Sequence, residues 1–254
     1  MTEFSVFRIV LIISFVSAVG IFIALFFVPA PYGRHTRHGW GYRLTNRLGW
    51  LLMESVSTIV MLVMFFIGEA SKTITTIIFL LMWEAHYIHR SYIYPFMLRD
   101  GKKNMPITVT IMAIVFNFGN AYLNGRYLFH FSTGRYTADW LLNPRFIIGV
   151  MLFVTGFVIN RWADNTLRDL RQPGEIDYKV PHGGLYEYIS CPNYFGEILE
   201  WFGWAIATWS MAGLTFAVWT FANLAPRALS HHKWYHEKFS EYPVERKALI
   251  PGVW

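Results

Sequence analysis

Seven apolar runs, each roughly 20 residues long, decide most of what this chain can become. A helix of ~20 apolar residues matches the hydrocarbon thickness of a bilayer. The runs are Phe4–Val28, Leu48–Ile67, Ile74–Tyr94, Ile107–Leu128, Phe146–Ala163, Asn193–Ala212 and Leu214–Ala228. Glu54 is the one charged residue between Arg47 and Glu69. In lipid every backbone N–H and C=O must be bonded within the protein, so such runs predict helices. Composition agrees: of 254 residues, 54% are hydrophobic, 19% aromatic and only 15% charged. The first run is too long for the apolar part of a signal peptide and lacks a clear small-residue cleavage site, so it predicts a retained helix. With no repeat, low-complexity tract or linker, the expected fold is all-α: one polytopic membrane domain of seven transmembrane helices, residues 1–254.

The basic residues give that bundle a direction. The connections after runs one, three and five carry Arg34, Arg37, Arg43 and Arg47, then Arg99, Lys102 and Lys103, then Arg161, Arg168, Arg171 and Lys179. The C-terminal tail adds Arg227, Lys233, Lys238, Arg246 and Lys247, whereas the alternate side has only Arg8, Lys72, Arg126, Arg135 and Arg145. Lys and Arg accumulate on the cytoplasmic side, which places the N-terminus outside and the C-terminus inside. The net charge of +6 is split into short clusters between apolar runs, which argues against a nucleic-acid surface. A single cysteine, Cys191, excludes an internal disulfide and a thiolate metal site.

Polar residues line up by face around the stretch Asn160–Trp201. At ~100° per residue, Asn160, Asp164 and Arg171 share one stripe. Pro173-Gly174, Pro181 and Gly183-Gly184 then interrupt any helix. Beyond them Asn193, Glu197, Glu200 and Trp201 share a second face, at the mouth of an apolar run. A carboxylate there is costly unless it is paired or faces a cavity. A solvated loop with helix-end charges would scatter such residues instead. Two more groups sit inside apolar runs: Glu54, and Tyr87 on a stripe with Trp83, Arg90 and Tyr94. A buried carboxyl that keeps its proton and a phenol can form a hydrogen-bonded acid pair, able to donate to a substrate oxygen. The plainer alternative is a Glu54 that only bonds a neighbouring helix.

The histidines His35-x-x-His38, His86-x-x-His89 and His231-His232-x-x-x-His236 invite a di-iron reading. Such a site needs about eight imidazoles converging on the metals. His86 and His89 differ by ~300° on a helix, so no metal is expected and interfacial histidines are. Neither G-x-G-x-x-G nor G-x-x-x-x-G-K-[ST] occurs, so a nucleotide would be held by loops and helix ends, where arginine, lysine and amide side chains suit phosphate.

These residues carry a resemblance. Asn160-x3-Asp164-x6-Arg171-x-Pro173-Gly174-Glu175-Ile176-x-Tyr178, then Pro181-x-Gly183-Gly184-Leu185, then Asn193-x2-Gly196-Glu197-Ile198-x-Glu200-Trp201 resembles the steroid 5α-reductase family. So do Arg227-Ala228, His231-His232, Tyr235, Tyr242-Pro243 and the run Arg246–Pro251. Tyr32–Thr36 and His86-Tyr87-x-His89-Arg90 are similar to its N-terminal half, types 1 and 2 especially, and the chain looks like a bacterial-type or otherwise divergent member. The resemblance implies a seven-helix enzyme that uses NADPH to reduce the Δ4 double bond of a 3-oxo-steroid. It implies Glu54 and Tyr87 as the catalytic pair at the C3 carbonyl. It also implies Asn160, Asp164, Arg171, Tyr178, Asn193, Glu197, Arg227, His231 and Tyr235 as cofactor contacts. Residues 146–254 would supply most of the NADPH site, and the N-terminal half the pocket for a lipid-soluble steroid. The loop RDGKKN at 99–104 departs from the family's arginine-glycine-arginine pattern, which leaves open the cation that meets phosphate. The expected setting is a bacterial inner membrane or endoplasmic reticulum, with a monomer among membrane lipids and the cofactor on the cytoplasmic side. A reductase of another conjugated alkene (an enoyl thioester, polyprenol-type compound or sterol), a di-iron hydroxylase and a non-enzymatic carrier are the alternatives.

Overall fold

The computed structural model describes residues 1–28, 39–99, 104–172, 175 and 177–254. Tyr32, Arg34, His35, Arg37, His38, Lys102, Lys103, Pro173, Gly174 and Ile176 lie outside the described residues.

Helices dominate, and short polar side chains start them. Thr2 caps α1 (Glu3–Phe27), Thr45 caps α2 (Asn46–Ile67) and Thr73 caps α3 (Ile74–Ile88), each hydroxyl accepting a backbone N–H of the first turn. The third apolar run stays helical beyond α3, through a widened π-type turn at His89–Ile93 and into α4 (Tyr94–Met97). After α5 (Ile107–Arg126) a second widened turn covers Tyr127–Phe131. Asn143 caps α6 (Pro144–Asp169), whose first residue, Pro144, has no N–H to lose.

The structure moves the last boundary. The sequence predicts runs ending at Ala212 and Ala228, but α7 (Pro192–Thr208) stops earlier, where Trp209 adopts a left-handed backbone at φ 46°. Ser210 then caps α8 (Met211–Lys238), which continues through Pro226 and well past Ala228. The apolar count found where hydropathy fades, whereas the helix ends where its backbone bonds do. The structure is mostly helical, as expected, with one small addition. β1 (Arg43–Thr45) and β2 (Asn104–Pro106) form a small antiparallel ribbon, with Leu44 opposite Met105. Two connections meeting at one end of the bundle satisfy each other's backbone groups this way.

α6 and α7 pack most closely, and glycine allows it. A Cβ at Gly156 would lie inside the backbone of Glu200 and Gly196, and one at Gly196 inside that of Asn160. Gly149 and Gly203 meet Ala207 and Phe153 in the same way. Close approach through small residues is how helices associate in lipid, where burial of apolar surface gives no drive. Beside this seam sits an aromatic core of Phe79, Trp83, Trp201, Trp204 and Phe216. Among the described residues, four helical segments are long and apolar enough to cross a membrane: α1, α2, α5 with its extension to Phe131, and α6. Their outward faces carry large apolar side chains, such as Ile12, Ile13 and Val16 on α1 and Val154 and Val158 on α6. The chain is an integral membrane protein.

Candidate active site

α6 and α7 carry the polar residues picked out in the sequence, and their glycine seam brings these within bonding distance. Asn160 is almost wholly buried, and its Nδ2 donates to the Asn193 carbonyl at 2.8 Å and to Glu197 Oε2 at 3.4 Å. Asn193 in turn donates to Asp164 Oδ1 at 3.1 Å. Thus Asn160, Asp164, Asn193 and Glu197 form one network. Its centre is a residue the sequence analysis placed on a stripe without giving it a role. Arg90, in the widened turn after α3, reaches Asp164 Oδ2 at 3.2 Å and Glu197 Oε2 at 3.4 Å. Its guanidinium lies between the rings of Trp50 and Tyr94, at 4.7 and 4.8 Å. One planar cation thereby neutralises carboxylates from two helices, a task that suits arginine's fork and its stacking faces. The available signal was its place in an apolar run, where an arginine needs partners.

Glu54 and Tyr87 lie on one side of this network. The Glu54 carboxyl is near Arg90 and Glu197 and accepts from Asn117 Nδ2 at 3.4 Å, while Asn117 also donates to the Met53 carbonyl at 2.7 Å. The Tyr87 phenol lies near Glu54, Ser57 and Asn120. Its ring packs on Trp83 and Trp201, with centroids 4.9 and 5.9 Å away. Glu54 and Tyr87 therefore share one region without the mutual hydrogen bond expected from sequence. Ser57 Oγ and Asn120 Nδ2 are buried within reach of the phenol and bond no other group.

A second acid lies behind the first. Glu200 is fully buried and its Oε1 lies 2.8 Å from His86 Nδ1. The expectation of an interfacial histidine is corrected for His86, which is 3% exposed and packed edge-on against Trp201. Among the described residues no three metal-ligating side chains converge.

On the other side of the network a cleft opens between α6, α7, α8 and the segment after α3. Asp164, Arg171, Asn193, His231 and Tyr235 line it, together with His89, Tyr94, Arg99, Arg161, Arg168 and Tyr194. Of the predicted contacts, Asn160, Tyr178, Glu197 and Arg227 stand behind or beside this lining. Tyr194, which the sequence analysis missed, links two of them: its hydroxyl accepts from Arg227 Nη2 at 2.9 Å and lies 3.0 Å from His231 Nε2. Tyr178 packs against Trp234 and stands under the Arg171 guanidinium at 5.6 Å. Arg99 donates to Asp169 Oδ1 at 3.0 Å and to the Arg171 carbonyl. Below the cleft, the Ser190 hydroxyl lies 2.6 Å from His232 Nδ1 and 2.7 Å from the Tyr242 hydroxyl. Four arginines, flat rings and amides form a donor set that fits a phosphorylated dinucleotide. Arg161 Nε, buried with no hydrogen-bond partner, is a donor still to be met.

The fold and this arrangement define a helical integral membrane protein with a cation-lined polar cleft backed by buried carboxyls. Comparison with known proteins narrows that class. Residues 103–254 match the family model described as 3-oxo-5-alpha-steroid 4-dehydrogenase. The chain is 44% identical over 234 residues to 3-oxo-5-alpha-steroid 4-dehydrogenase 1 of Bos taurus, covering 91% of this chain and 90% of that one. It is 41% identical over 238 residues to steroid 5-alpha-reductase DET2 of Arabidopsis thaliana, again covering 91% and 90%. With DET2 of Gossypium hirsutum it shares 39% identity over 254 residues, 98% of each chain. The chain belongs to the steroid 5α-reductase family, whose members are oxidoreductases acting on a CH–CH group.

Proposed function

We propose that the protein reduces the Δ4 double bond of a 3-oxo-steroid to the 5α product with NADPH. The relatives' names give the reaction class, and one observation carries its assignment here. The Arg90–Asp164–Glu197–Asn160–Asn193 network separates the cation-lined cleft from a buried carboxyl and phenol. A water-soluble dinucleotide suits the first compartment and an apolar enone the second. In this reading Arg171, with Arg99, Arg161 and Arg168, holds phosphate, and Tyr178, Arg227, His231 and Tyr235 frame the rest of the cofactor. Asn160, Asp164, Asn193 and Glu197 orient its reactive end. NADPH, when bound, supplies the hydride that C5 receives.

The chain's own residues then handle charge and proton. Tyr87 donates to the C3 oxygen and stabilises the negative charge that grows there as C5 gains its hydride; such a donor is worth about 10²–10³ in rate. Glu54, oriented by Asn117, backs the phenol. The resulting enolate takes one proton from solution at C4 and the C3 carbonyl re-forms, so that one hydride and one proton have added across the double bond. Water is kept out by the ring wall of Trp83, Trp201 and Phe216, which strengthens these interactions. The same reading takes residues 1–254 as one domain of seven spans and a monomer. The N-terminus faces outward, and the cleft and C-terminus face the cytoplasm. The test is NADPH oxidation by detergent-purified protein with progesterone and testosterone, with product identified by mass and stereochemistry. Steroid-dependent oxidation yielding the 5α product is the expected result. No oxidation with either steroid, or oxidation without loss of the double bond, overturns the proposal.

A further inference from the structure

One buried carboxyl takes no part in the arrangement above. Glu84 on α3 is 6% exposed, and both its oxygens are buried. Among the described residues, no cation pairs with it. Thr58 on α2 faces it, near enough for the two groups to interact, and no third group bonds the carboxyl or the Thr58 hydroxyl. The large majority of buried side-chain polar atoms in folded proteins are bonded, so an acid and a hydroxyl that have only each other, with most of their bonding capacity unused, need an explanation. An unpaired acid between apolar helices marks a ligand or proton site far more readily than a packing device.

Position narrows the choice. α2 and α3 run antiparallel: Trp83 Nε1 donates to the Ser57 carbonyl, while Tyr87 lies near Glu54. Glu84 precedes Tyr87 by three residues and Thr58 follows Glu54 by four. Both steps go the same way along the seam, by about one helical turn, ~5 Å. A second acid–hydroxyl station thus lies one turn deeper than the first, on the same two helices. A protonated carboxyl and a threonine hydroxyl can each donate and accept, and together they complement a single O–H group. Leu81 and Ile88, on the neighbouring outward face of α3, are exposed apolar side chains, so the molecule that carries the hydroxyl is otherwise apolar.

We propose that Glu84 and Thr58 form a second polar station of the substrate site, which takes a hydroxyl carried by the lipid-soluble substrate. The proposal rests on the reading of Glu54 and Tyr87 as the carbonyl site. It adds that the hydroxyl sits about one helical turn, ~5 Å, from that carbonyl. On a fused-ring 3-oxo compound this places it on the first two rings and not at the far end.

The test compares two 3-oxo-Δ4 steroids that differ by one hydroxyl on the second ring. Equilibrium binding is read by tryptophan quenching, and turnover by NADPH oxidation, for wild type, Glu84→Leu, Glu84→Gln and Thr58→Val. Expected for the hydroxylated steroid is binding weakened about tenfold by Glu84→Leu and by Thr58→Val, the scale of one good hydrogen bond. The parent steroid should change by no more than about twofold. Glu84→Gln keeps a donor and an acceptor in the same shape and should lose less than about threefold. Equal weakening of both steroids overturns the proposal and makes Glu84 a packing residue. Unchanged binding of both, with variants that melt higher than wild type, overturns it in favour of a site that holds water alone. If wild type reduces the parent steroid but the variants treat both alike, the station fails and the proposed function stands. If wild type binds and reduces neither, the proposed function fails and takes the station with it.

Discussion

At the residue scale, two side chains give the clearest expectations. Tyr87 is packed between aromatic rings and its hydroxyl faces Glu54, Ser57 and Asn120. Tyr87→Phe keeps the ring and removes the donor. It should lower kcat about 10²–10³-fold, or about 2.7–4 kcal/mol of transition-state stabilisation, with NADPH affinity unchanged. Single-turnover kinetics and cofactor titration on the same preparation check it, and near wild-type kcat would leave Tyr87 as a wall. His232 lies outside the apolar spans, with its Nδ1 at Ser190. Burial first, then the nearby His236 and Lys247, hold its imidazole below the ordinary value. The folded chain then binds fewer protons than the unfolded one, so stability rises with pH between that depressed value and ~6.5. Thermal midpoints in detergent should therefore fall as pH drops below ~6.5, and His232→Asn should flatten that part of the profile. An unchanged slope in the variant would assign the effect to other groups.

At the element scale, the α6–α7 seam holds the site together. Gly156 stands where a Cβ would enter the backbone of Glu200 and Gly196. Even Gly156→Ala should push the helices apart, costing about 1–3 kcal/mol in the manner of an overpacked core. It should also loosen the Asn160 bond to the Asn193 carbonyl and so weaken cofactor binding. Gly119→Ala, at a position with nothing within 4 Å, is the control and should be neutral or slightly stabilising. Melting by tryptophan fluorescence, with NADPH titration, separates the two; equal behaviour of both variants would mean that the seam has slack. The widened turn after α3 matters for the same reason. It leads the chain from Tyr87, among aromatic rings, to Arg90, between two carboxylates.

At the scale of the whole molecule, charge sorts the two ends of the proposed site. The cleft is lined by Arg99, Arg161, Arg168 and Arg171; Asp169 pairs with both Arg99 and Arg168, and Asp164 is already bonded to Arg90 and Asn193, which leaves an excess of positive charge. A cofactor carrying an additional phosphate should gain from that surplus. NADPH is expected to bind about 10–100-fold more tightly than NADH, the range of one or two charge-assisted hydrogen bonds. Isothermal titration of both cofactors at one fixed salt concentration checks this; equal affinities would remove phosphate recognition from these arginines.

Much of the helical architecture and part of the polar network could be read along the chain. Apolar length acts locally, so α1 and α2 could be read directly and α6 in its apolar part, although α6 runs on to Asp169 past the expected end at Ala163. Asn160 with Asp164, and Asn193 with Glu197, could be read because residues one turn apart share a face. Only the tertiary structure decided what those faces meet. His86 and Glu200 are 114 positions apart, and Arg90 joins carboxylates from two later helices. No periodicity encodes such pairings; they follow from the glycine seam and from the widened turn that re-aims Arg90. The end of α7 was hidden for a related reason. Trp209 and Ser210 turn the backbone inside a run that stays apolar, and hydropathy reports solvent preference, not hydrogen bonds.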